Sequence, residues 1–503
     1  MTRFCLSMIF AGLMSAMADR PVLTPPPRHA EWTGLSVALE PPVIRAGSAE
    51  RPAALFLETE MRRLHGLKLA VTSRPGAGGI SLALAGTAAG RNMLGRVSVA
   101  GIYKRHRGPE TYLIETGPGG VSIVAETLRG LIYGAQTLLQ MVRREGVAKR
   151  VVGARIVDYP QLGFRGLHIC IFPNTELAAV RQAILVAARF KYNAIVIETW
   201  ASLKSRKRPE SAYENAYEPE QLKPLVRLGK ALQMEMIPML NSWGHASGMR
   251  AGSSQHVVLD RFPQFKALYE EDGWSFCLTN PDIYGHLFDR YQELLELFDK
   301  PSYFHLGLDE AWGHRGLMES ERCRGPNPTQ VIREHLAKLY DYFARRKMRV
   351  MVWHDMFIQR DHPELGRVSP ANSLPGFNTH LALDSLPKDV IIAAWNYSET
   401  GEWPVPKYFS DRGFPVVVCP WKVRRNAVSL VNTAKKLELM GMLQTTWDSL
   451  DVTLPTVGEA GVVAWTEPGF NLDTVPYETF LKAIRDLPIC NLPHHESILG
   501  GGQ

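Results

Sequence analysis

The chain has 503 residues, 45% of them hydrophobic and 21% charged, an ordinary globular composition with length enough for two or three domains. Its formal net charge of +7 is mild for that length, and the lysines and arginines are scattered, the densest cluster being Lys204 to Arg208 in a loop-like stretch. With no basic helix and no aromatic–basic interleave, nucleic acid is excluded as the expected partner.

At the N-terminus, Arg3 precedes an apolar run from Phe4 to Met17, and Ala16-Met17-Ala18 supplies a small-x-small cleavage site before Asp19. Residues 1–18 therefore read as a secretory signal peptide, too short to span a bilayer. No later segment holds eighteen uncharged apolar residues, so no membrane span is expected, and the expected location is periplasmic or extracellular. Beyond the signal segment lie Cys170, Cys277, Cys323, Cys419 and Cys490. Cys170 and Cys419 fall inside apolar strand-like runs and read as buried thiols, and no pair has metal-ligand spacing.

Residues 19–34 are rich in proline (Pro21, Pro25, Pro26 and Pro27) and read as a linker. Residues 35–150 read as a small α+β support domain. Its expected strands are 35–39, 67–71, 80–84, 112–116 and 121–125, the last two joined by a Gly117-Pro118-Gly119-Gly120 hairpin loop. Ala53, Phe56, Leu57 and Leu64 mark one amphipathic helix; Leu131, Ala135, Leu138, Leu139 and Val142 mark another. No cluster of titratable groups suggests chemistry there.

From Phe164 the pattern changes to apolar runs alternating with helix-length amphipathic stretches. The runs are 165–172, 193–200, 236–243, 303–310, 349–355, 390–397, 415–421 and 461–467, with helices expected at 176–190, 219–233, 283–298 and 330–346. Eight such repeats over residues 160–490 predict a (β/α)8 TIM barrel behind the α+β domain. No glycine-rich phosphate turn follows the first run, which argues against a dinucleotide-binding sheet, and no cofactor is expected.

The ends of the runs carry the chemistry. Glu198 and Trp200 end the second; Asn241, Trp243 and His245 the third; Asp309 and Glu310 the fourth. Trp353, His354 and Asp355 end the fifth, Trp395, Asn396 and Tyr397 the sixth, Trp421 the seventh, and Trp465 with Glu467 the eighth. In a barrel these residues converge on one mouth. Tryptophan faces stack on the C–H faces of sugar rings while acids and amides bind hydroxyls, so the mouth predicts a carbohydrate. Two adjacent carboxylates against an apolar strand gain no stability from being there, which points to catalysis.

His305-Leu306-Gly307-Leu308-Asp309-Glu310 resembles the His-x-Gly-x-Asp-Glu signature of glycoside hydrolase family 20, the β-N-acetylhexosaminidases. Phe164-Arg165-Gly166-Leu167-His168 is similar to that family's first barrel strand, and the stretch from Arg129 to Leu138 to the helix of its preceding domain. Residues 237–245, Trp353-His354-Asp355-Met356 and Thr445-Thr446-Trp447-Asp448 look closest to the hexosaminidase D branch. The resemblance implies an exo-acting retaining enzyme that removes β-linked N-acetylhexosamine from an oligosaccharide or glycoconjugate, the substrate's own acetamide acting as nucleophile. Glu310 would then be the general acid and base, and Asp309 would orient the acetamido N–H. By the same resemblance Arg165 and Glu467 would hold sugar hydroxyls, and Glu198, His245, Trp353, Asp355, Trp395, Trp447 and Trp465 would complete the substrate pocket. Tyr397 is the candidate for the tyrosine that binds the acetamide oxygen, with Leu450 near the place where that branch has one.

Three alternatives stand beside this reading. A two-carboxylate retaining glycosidase would use Glu198 or Glu467 as nucleophile. A sugar-binding protein would keep the aromatic mouth without turnover. A metal hydrolase would need His305, Asp309 and His314, and the sequence has no His-x-x-x-His pair to support it, so no metal is expected.

The exported form is expected to begin at Asp19. The intact mass of protein secreted by a bacterial host measures this directly, and a retained Met1 would contradict it.

Overall fold

The computed structural model describes residues 20–487 apart from 147, 247–260, 272, 312–320, 326, 400 and 448–449. The signal segment 1–18, His314, Asp448, Cys490 and the expected last three barrel residues, 488–490, lie outside the described residues.

Short β-rich runs separated by turns build a mixed sheet in the first domain. Its strands are β1 (His29–Ala38), β2 (Val43–Arg45), β3 (Ala70–Thr72), β4 (Ile80–Leu84), β5 (Tyr112–Gly117), β6 (Gly120–Ala125), β7 (Val142–Glu145) and β8 (Ala148–Asp158). They lie in the order β1-β8-β5-β6-β4-β2-β3, with β7 paired on β8. β5 and β6 form the expected hairpin, Gly117 facing Gly120 across the turn. Helices Arg51–His65 and Leu128–Met141, also expected, pack together on one face. Two short helices absent from the sequence reading, Ala88–Leu94 and Ala100–Arg105, cover the other, with Tyr103 against Leu113, Val124 and Val157.

The domain is larger than its pattern suggested. β1 starts at His29, inside the stretch read as a linker, and β8 continues to Asp158, past the expected boundary at 150. A register shift between Trp32 and Ser36 breaks the period-two alternation of β1 and hides it from pattern reading.

The second domain is a closed eight-stranded parallel barrel. It comprises β9 (Phe164–Cys170), β10 (Ala194–Glu198), β11 (Glu235–Met239), β12 (Tyr303–His305) and β13 (Arg349–Trp353). A hairpin of β14 (Asp361–His362) and β15 (Gly366–Arg367) follows, and β16 (Ile391–Trp395), β17 (Val416–Cys419) and β18 (Gly441–Gln444) close the ring on β9. Helices at 177–189, 219–231, 282–297 and 328–344 stand where expected. Lys191, Gln233, Lys300, Lys347 and Glu438 follow helices with positive φ, the left-handed turn that ends a helix and feeds the next strand. Inward-facing Ala194, Val196, Ile237, Met239, Met351, Ile391, Ala393, Val417 and Leu443 fill the barrel.

Two strand assignments are corrected. The eighth strand is Gly441–Gln444, whereas the run at 461–467 starts inside the helix Leu450–Trp465. That helix is buried nearly all round, so its end carries no polar stripe and reads as an apolar strand. The fourth strand stops at His305 because Gly307, Leu308 and Glu310 take φ of +69°, +74° and +45°. The expected strand through Glu310 becomes a sharp turn instead.

The domains are welded at the barrel's far end, where the strands begin. Lys191 Nζ lies 2.8 Å from Asp158 Oδ2 and 2.8 Å from the Tyr112 hydroxyl, and Trp465 Nε1 donates to Asp158 Oδ1 at 2.9 Å. Beside them Arg165 pairs with Glu110 at 2.8 Å. Burial lowers the Lys191 ammonium below its ordinary range and Asp158 pulls it back. Asp158→Ala strands that ammonium in the interior and should destabilise the fold by about 3–5 kcal/mol in urea or thermal unfolding. Adding Lys191→Met should recover much of the loss; equal stability of the two variants would contradict this account.

Candidate active site

The strand ends meet around a cavity of about 260 Å³ lined by Glu198, Trp200, His245, Asp309, Glu310, Trp353, Trp395, Tyr397 and Trp447. That volume falls below the usual range for drug-sized ligands and has room for about one sugar ring. Eight of the twelve residues singled out in the sequence thus share one wall.

Asp309 and Glu310 owe their position to the turn after β12. Trp353 N–H donates to Gly307 O at 2.9 Å and Ser242 N–H donates to Leu306 O at 3.0 Å, so the irregular backbone stays in the barrel wall. Gly307 combines a positive φ with contact to Asn241: a Cβ there would sit 2.2 Å from the Asn241 amide oxygen. Gly244 packs on Asp309 itself, where a Cβ would meet the Asp309 carbonyl at 2.0 Å. Left-handed conformations at Trp200 (φ +42°), His245 (+55°), Leu308 and Glu310 all stand at the mouth, and each costs about 1–3 kcal/mol that the surrounding packing must hold.

His245 is the electrostatic centre. Its Nε2 is 3.4 Å from Asp309 Oδ2 and 3.4 Å from Glu310 Oε2. Burial works against its positive charge, but the two carboxylates outweigh it and push its pKa up to about 10. Burial raises the Asp309 carboxyl above the usual range; His245 opposes this, while Glu310 and Glu198 add to it. The Glu310 side chain is 32% exposed against 11% for Asp309, so the pair has one open member and one enclosed member.

Glu198 lines the cavity with both oxygens engaged. His168 Nε2 lies 2.9 Å from Oε2, and Asn241 Nδ2 donates to Oε1 at 2.6 Å. The Tyr397 hydroxyl accepts from Trp447 Nε1 at 2.7 Å, and burial raises its pKa well above the ordinary value. It therefore keeps its own proton to donate. Leu450 is buried at the start of its helix and is absent from the cavity wall.

Four expected site residues are elsewhere. Arg165, second in β9, lies at the strand's start, fully buried against Glu110, Tyr133 and the Leu162 and Lys191 carbonyls. Trp465 stacks beside it at the same end, its ring 5.0 Å from the guanidinium. Glu467 follows the helix rather than a strand and pairs with Arg28 at the surface, 3.2 Å away. Asp355 is fully buried and lies outside the cavity lining: its carboxylate accepts from Glu310 N–H, Asn372 Nδ2 and Trp395 Nε1 at 3.0, 2.8 and 3.1 Å. Burial first, and then the charge of Asp309, push its pKa up to about 7 against those donors.

Several contributors escaped the sequence-derived site. Trp200, Asn241 and His168 were visible at strand ends or in motifs, but Trp274 and Asn372 sit in loops with no periodicity to mark them. Trp274 packs on His245 at 4.3 Å and donates its indole N–H to Glu310 O at 2.5 Å. A disulfide between Cys277 and Cys323 ties the loop carrying Trp274 to the segment beyond Glu310. Cys170 and Cys419 are buried free thiols. Among the described residues no group of three or more histidine, cysteine or carboxylate side chains could hold a metal ion.

Barrel, paired acids and aromatic wall together define a barrel protein with an acidic, aromatic-walled site at the strand ends. Residues 20–159 match the model for glycosyl hydrolase family 20, domain 2, and residues 193–424 match that for the glycosyl hydrolase family 20 catalytic domain. The chain belongs to glycosyl hydrolase family 20. It is similar to a beta-hexosaminidase of Porphyromonas gingivalis, 24% identical over 49% of this chain and 34% of that protein. A lacto-N-biosidase of Bifidobacterium bifidum is 19% identical over 52% of this chain and 24% of that protein. The alignments thus take in only about a quarter to a third of those two relatives. Among solved structures, the exo beta-N-acetylglucosaminidase of Vibrio harveyi superposes with a TM-score of 0.69 at 16% identity, over 92% of this chain and 77% of that one. The N-acetyl-beta-hexosaminidase of Streptomyces plicatus gives 0.66 at 17% identity, over 96% and 97%.

His245 also sets a stability signature. Its pKa is raised on folding, so its contribution is fully present below about 6.5 and is lost as pH rises toward about 10. Wild-type Tm should therefore fall across that window more steeply than the Tm of His245→Gln. Parallel Tm–pH curves would show that the imidazolium does not bridge the two acids.

Proposed function

We propose that this protein is an exo-acting retaining β-N-acetylhexosaminidase working by substrate-assisted catalysis. The observation that carries the reading is the adjacent Asp309–Glu310 pair, spanned by His245, in an aromatic cavity with room for about one sugar. The family relationship and the names borne by the relatives support it. The more exposed Glu310 gives its proton to the glycosidic oxygen as the bond to C1 breaks. The acetamide oxygen forms the new bond to C1, and positive charge develops on the acetamide nitrogen beside Asp309, which favours the ionised carboxylate there. Tyr397 offers its O–H to the acetamide oxygen, and Trp353, Trp395 and Trp447 wall the group. Water then attacks C1 and breaks its bond to the acetamide oxygen, which restores the neutral acetamide; the water's proton passes to Glu310, and the anomeric configuration is retained.

The two-carboxylate alternative loses support from geometry. Glu467 is at the surface beside Arg28, and Glu198 is fixed in the wall by one hydrogen bond on each oxygen, from His168 and Asn241. The substrate proposed is a terminal β-linked N-acetylhexosamine on an oligosaccharide or glycoconjugate. We also propose that the protein is exported, a reading supported by the N-terminal segment and by the Cys277–Cys323 disulfide. No helix among the described residues is long and apolar enough to cross a membrane.

Glu310→Gln should lower kcat by roughly two to four orders of magnitude on aryl N-acetylhexosaminides with poor leaving groups. The loss should be smaller on dinitrophenyl glycosides, which need little protonation. Asp309→Asn should weaken hydrolysis and the binding of a thiazoline mimic of the cyclised intermediate together. A 2-deoxy-2-fluoro glycoside that trapped a covalent adduct on Glu198 would overturn the assignment.

A further inference from the structure

The backbone of Glu310 is held in a way that the acid's role alone leaves unexplained. Its φ of +45° is uncommon for a residue with a Cβ and needs support from both sides. On one side the Glu310 carbonyl accepts the Trp274 indole N–H at 2.5 Å. On the other, the Glu310 N–H donates to Asp355 Oδ2 at 3.0 Å, across forty-five residues of chain and from the next barrel strand end. Asp355 is itself fixed from three directions. Asn372 donates its amide to Oδ2 at 2.8 Å and its backbone N–H to the Asp355 carbonyl at 2.7 Å, and Trp395 Nε1 donates to Oδ1 at 3.1 Å. The residue is 0% exposed and absent from the cavity wall, so it is placed behind the site rather than against a sugar.

We propose that Asp355 is a positioning residue, its carboxylate clamping the Glu310 N–H against the Trp395 indole so that the Glu310 carboxyl is held at the reach the leaving oxygen requires. This rests on the assignment of Glu310 as the acid. Three donors converge on two carboxylate oxygens, a demand that the ionised, acceptor-only form of Asp355 meets in full. Asparagine has one oxygen, so its NH2 must face the Trp395 donor or the pair formed by Glu310 and Asn372. The first choice turns one contact into a donor–donor clash and loosens the clamp at Trp395; the second turns two, and the Glu310 N–H loses its acceptor. Displacement of an acid by about 1 Å is enough to lower the rate by roughly 10²-fold.

The test compares Asp355→Asn, Glu310→Gln and the double variant on phenyl and 2,4-dinitrophenyl N-acetylhexosaminides, with thermal unfolding alongside. Asp355→Asn should lower kcat by about 10- to 100-fold on the phenyl glycoside and clearly less on the dinitrophenyl one, with little change in KM. In the Glu310→Gln background it should add roughly twofold at most, because its effect acts through a group already disabled. An equal loss on both leaving groups, or the same factor in both backgrounds, would overturn the proposal. Asn372→Ala removes one donor to the clamp and should show the same leaving-group signature in weaker form. If Asp355→Asn fails to fold, Asn372→Ala decides by the same two comparisons. Should Glu310→Gln itself lack a leaving-group signature, the acid assignment falls; with that signature intact and a uniform Asp355→Asn effect, only the clamp falls.

Discussion

Two carboxylates on consecutive residues at the end of an apolar strand repel one another and are poorly solvated, so something positive must stand between them. His245 does, with one nitrogen 3.4 Å from each acid. The bridge is mutual: the acids hold the imidazole charged far above its ordinary range, and the charged imidazole makes their proximity tolerable. Everything at the mouth is arranged to keep this triangle in register. His245 is itself left-handed, Gly244 lets its loop lie on the Asp309 backbone, and Trp274 packs on the imidazole. A barrel supplies the rigidity for this, since its wall is closed by hydrogen bonds on every strand and filled by interlocking apolar side chains.

The same wall explains where strain can be stored. Among the described residues, all the left-handed non-glycine positions except Asn378 fall into two groups. Those after helices close αβ turns at the far end, where such a conformation is the ordinary way out of a helix. Trp200, His245, Leu308 and Glu310 instead sit at the mouth, where no helix end calls for it. Support for them comes from hydrogen bonds that cross between strands, such as Trp353 to Gly307 and Glu310 to Asp355. At the opposite end the buried pairs Lys191–Asp158 and Arg165–Glu110 lock the first domain to the strand starts of the barrel.

Much of this was legible in the sequence because the barrel repeats one instruction. An apolar run ending in a polar or aromatic cluster locates seven strands and the residues that meet at the mouth, including Glu198, His245, Trp353 and Trp395. The eighth repeat failed because the buried helix Leu450–Trp465 has no polar face, while the true strand Gly441–Gln444 is only four residues long. That slip also misplaced Trp465 and Glu467, whereas Trp447, taken from a motif, lines the cavity. Arg165 was misplaced for a different reason: motif likeness located its strand but not which end of it a residue occupies. Asp355 was recognised as part of the cluster, yet sequence alone does not distinguish a carboxylate facing a cavity from one facing the wall behind it. Trp274 and Asn372 sit in loops, where contact is made by chain path rather than by period.

On the proposed reading, what is absent from the cavity wall follows from how its carboxylates are engaged. A protein nucleophile must be an acid with a lone pair free to reach C1. Among the described residues lining the cavity there are three carboxylates. Glu198 is held on both oxygens by His168 and Asn241, which fixes it as a rigid part of the wall. Glu310 has to carry a proton to the leaving oxygen, and Asp309, its immediate neighbour, is tied to His245. A second carboxylate poised on the opposite face of the sugar would stand apart from the first by several ångströms, usually on another strand. Consecutive residues at the end of one strand do not offer that arrangement. They offer a proton donor and, one residue away, a negative charge for a cation developing on the substrate. The nucleophile is then required to arrive with the substrate, and the acetamide beside C1 is the group that can supply it.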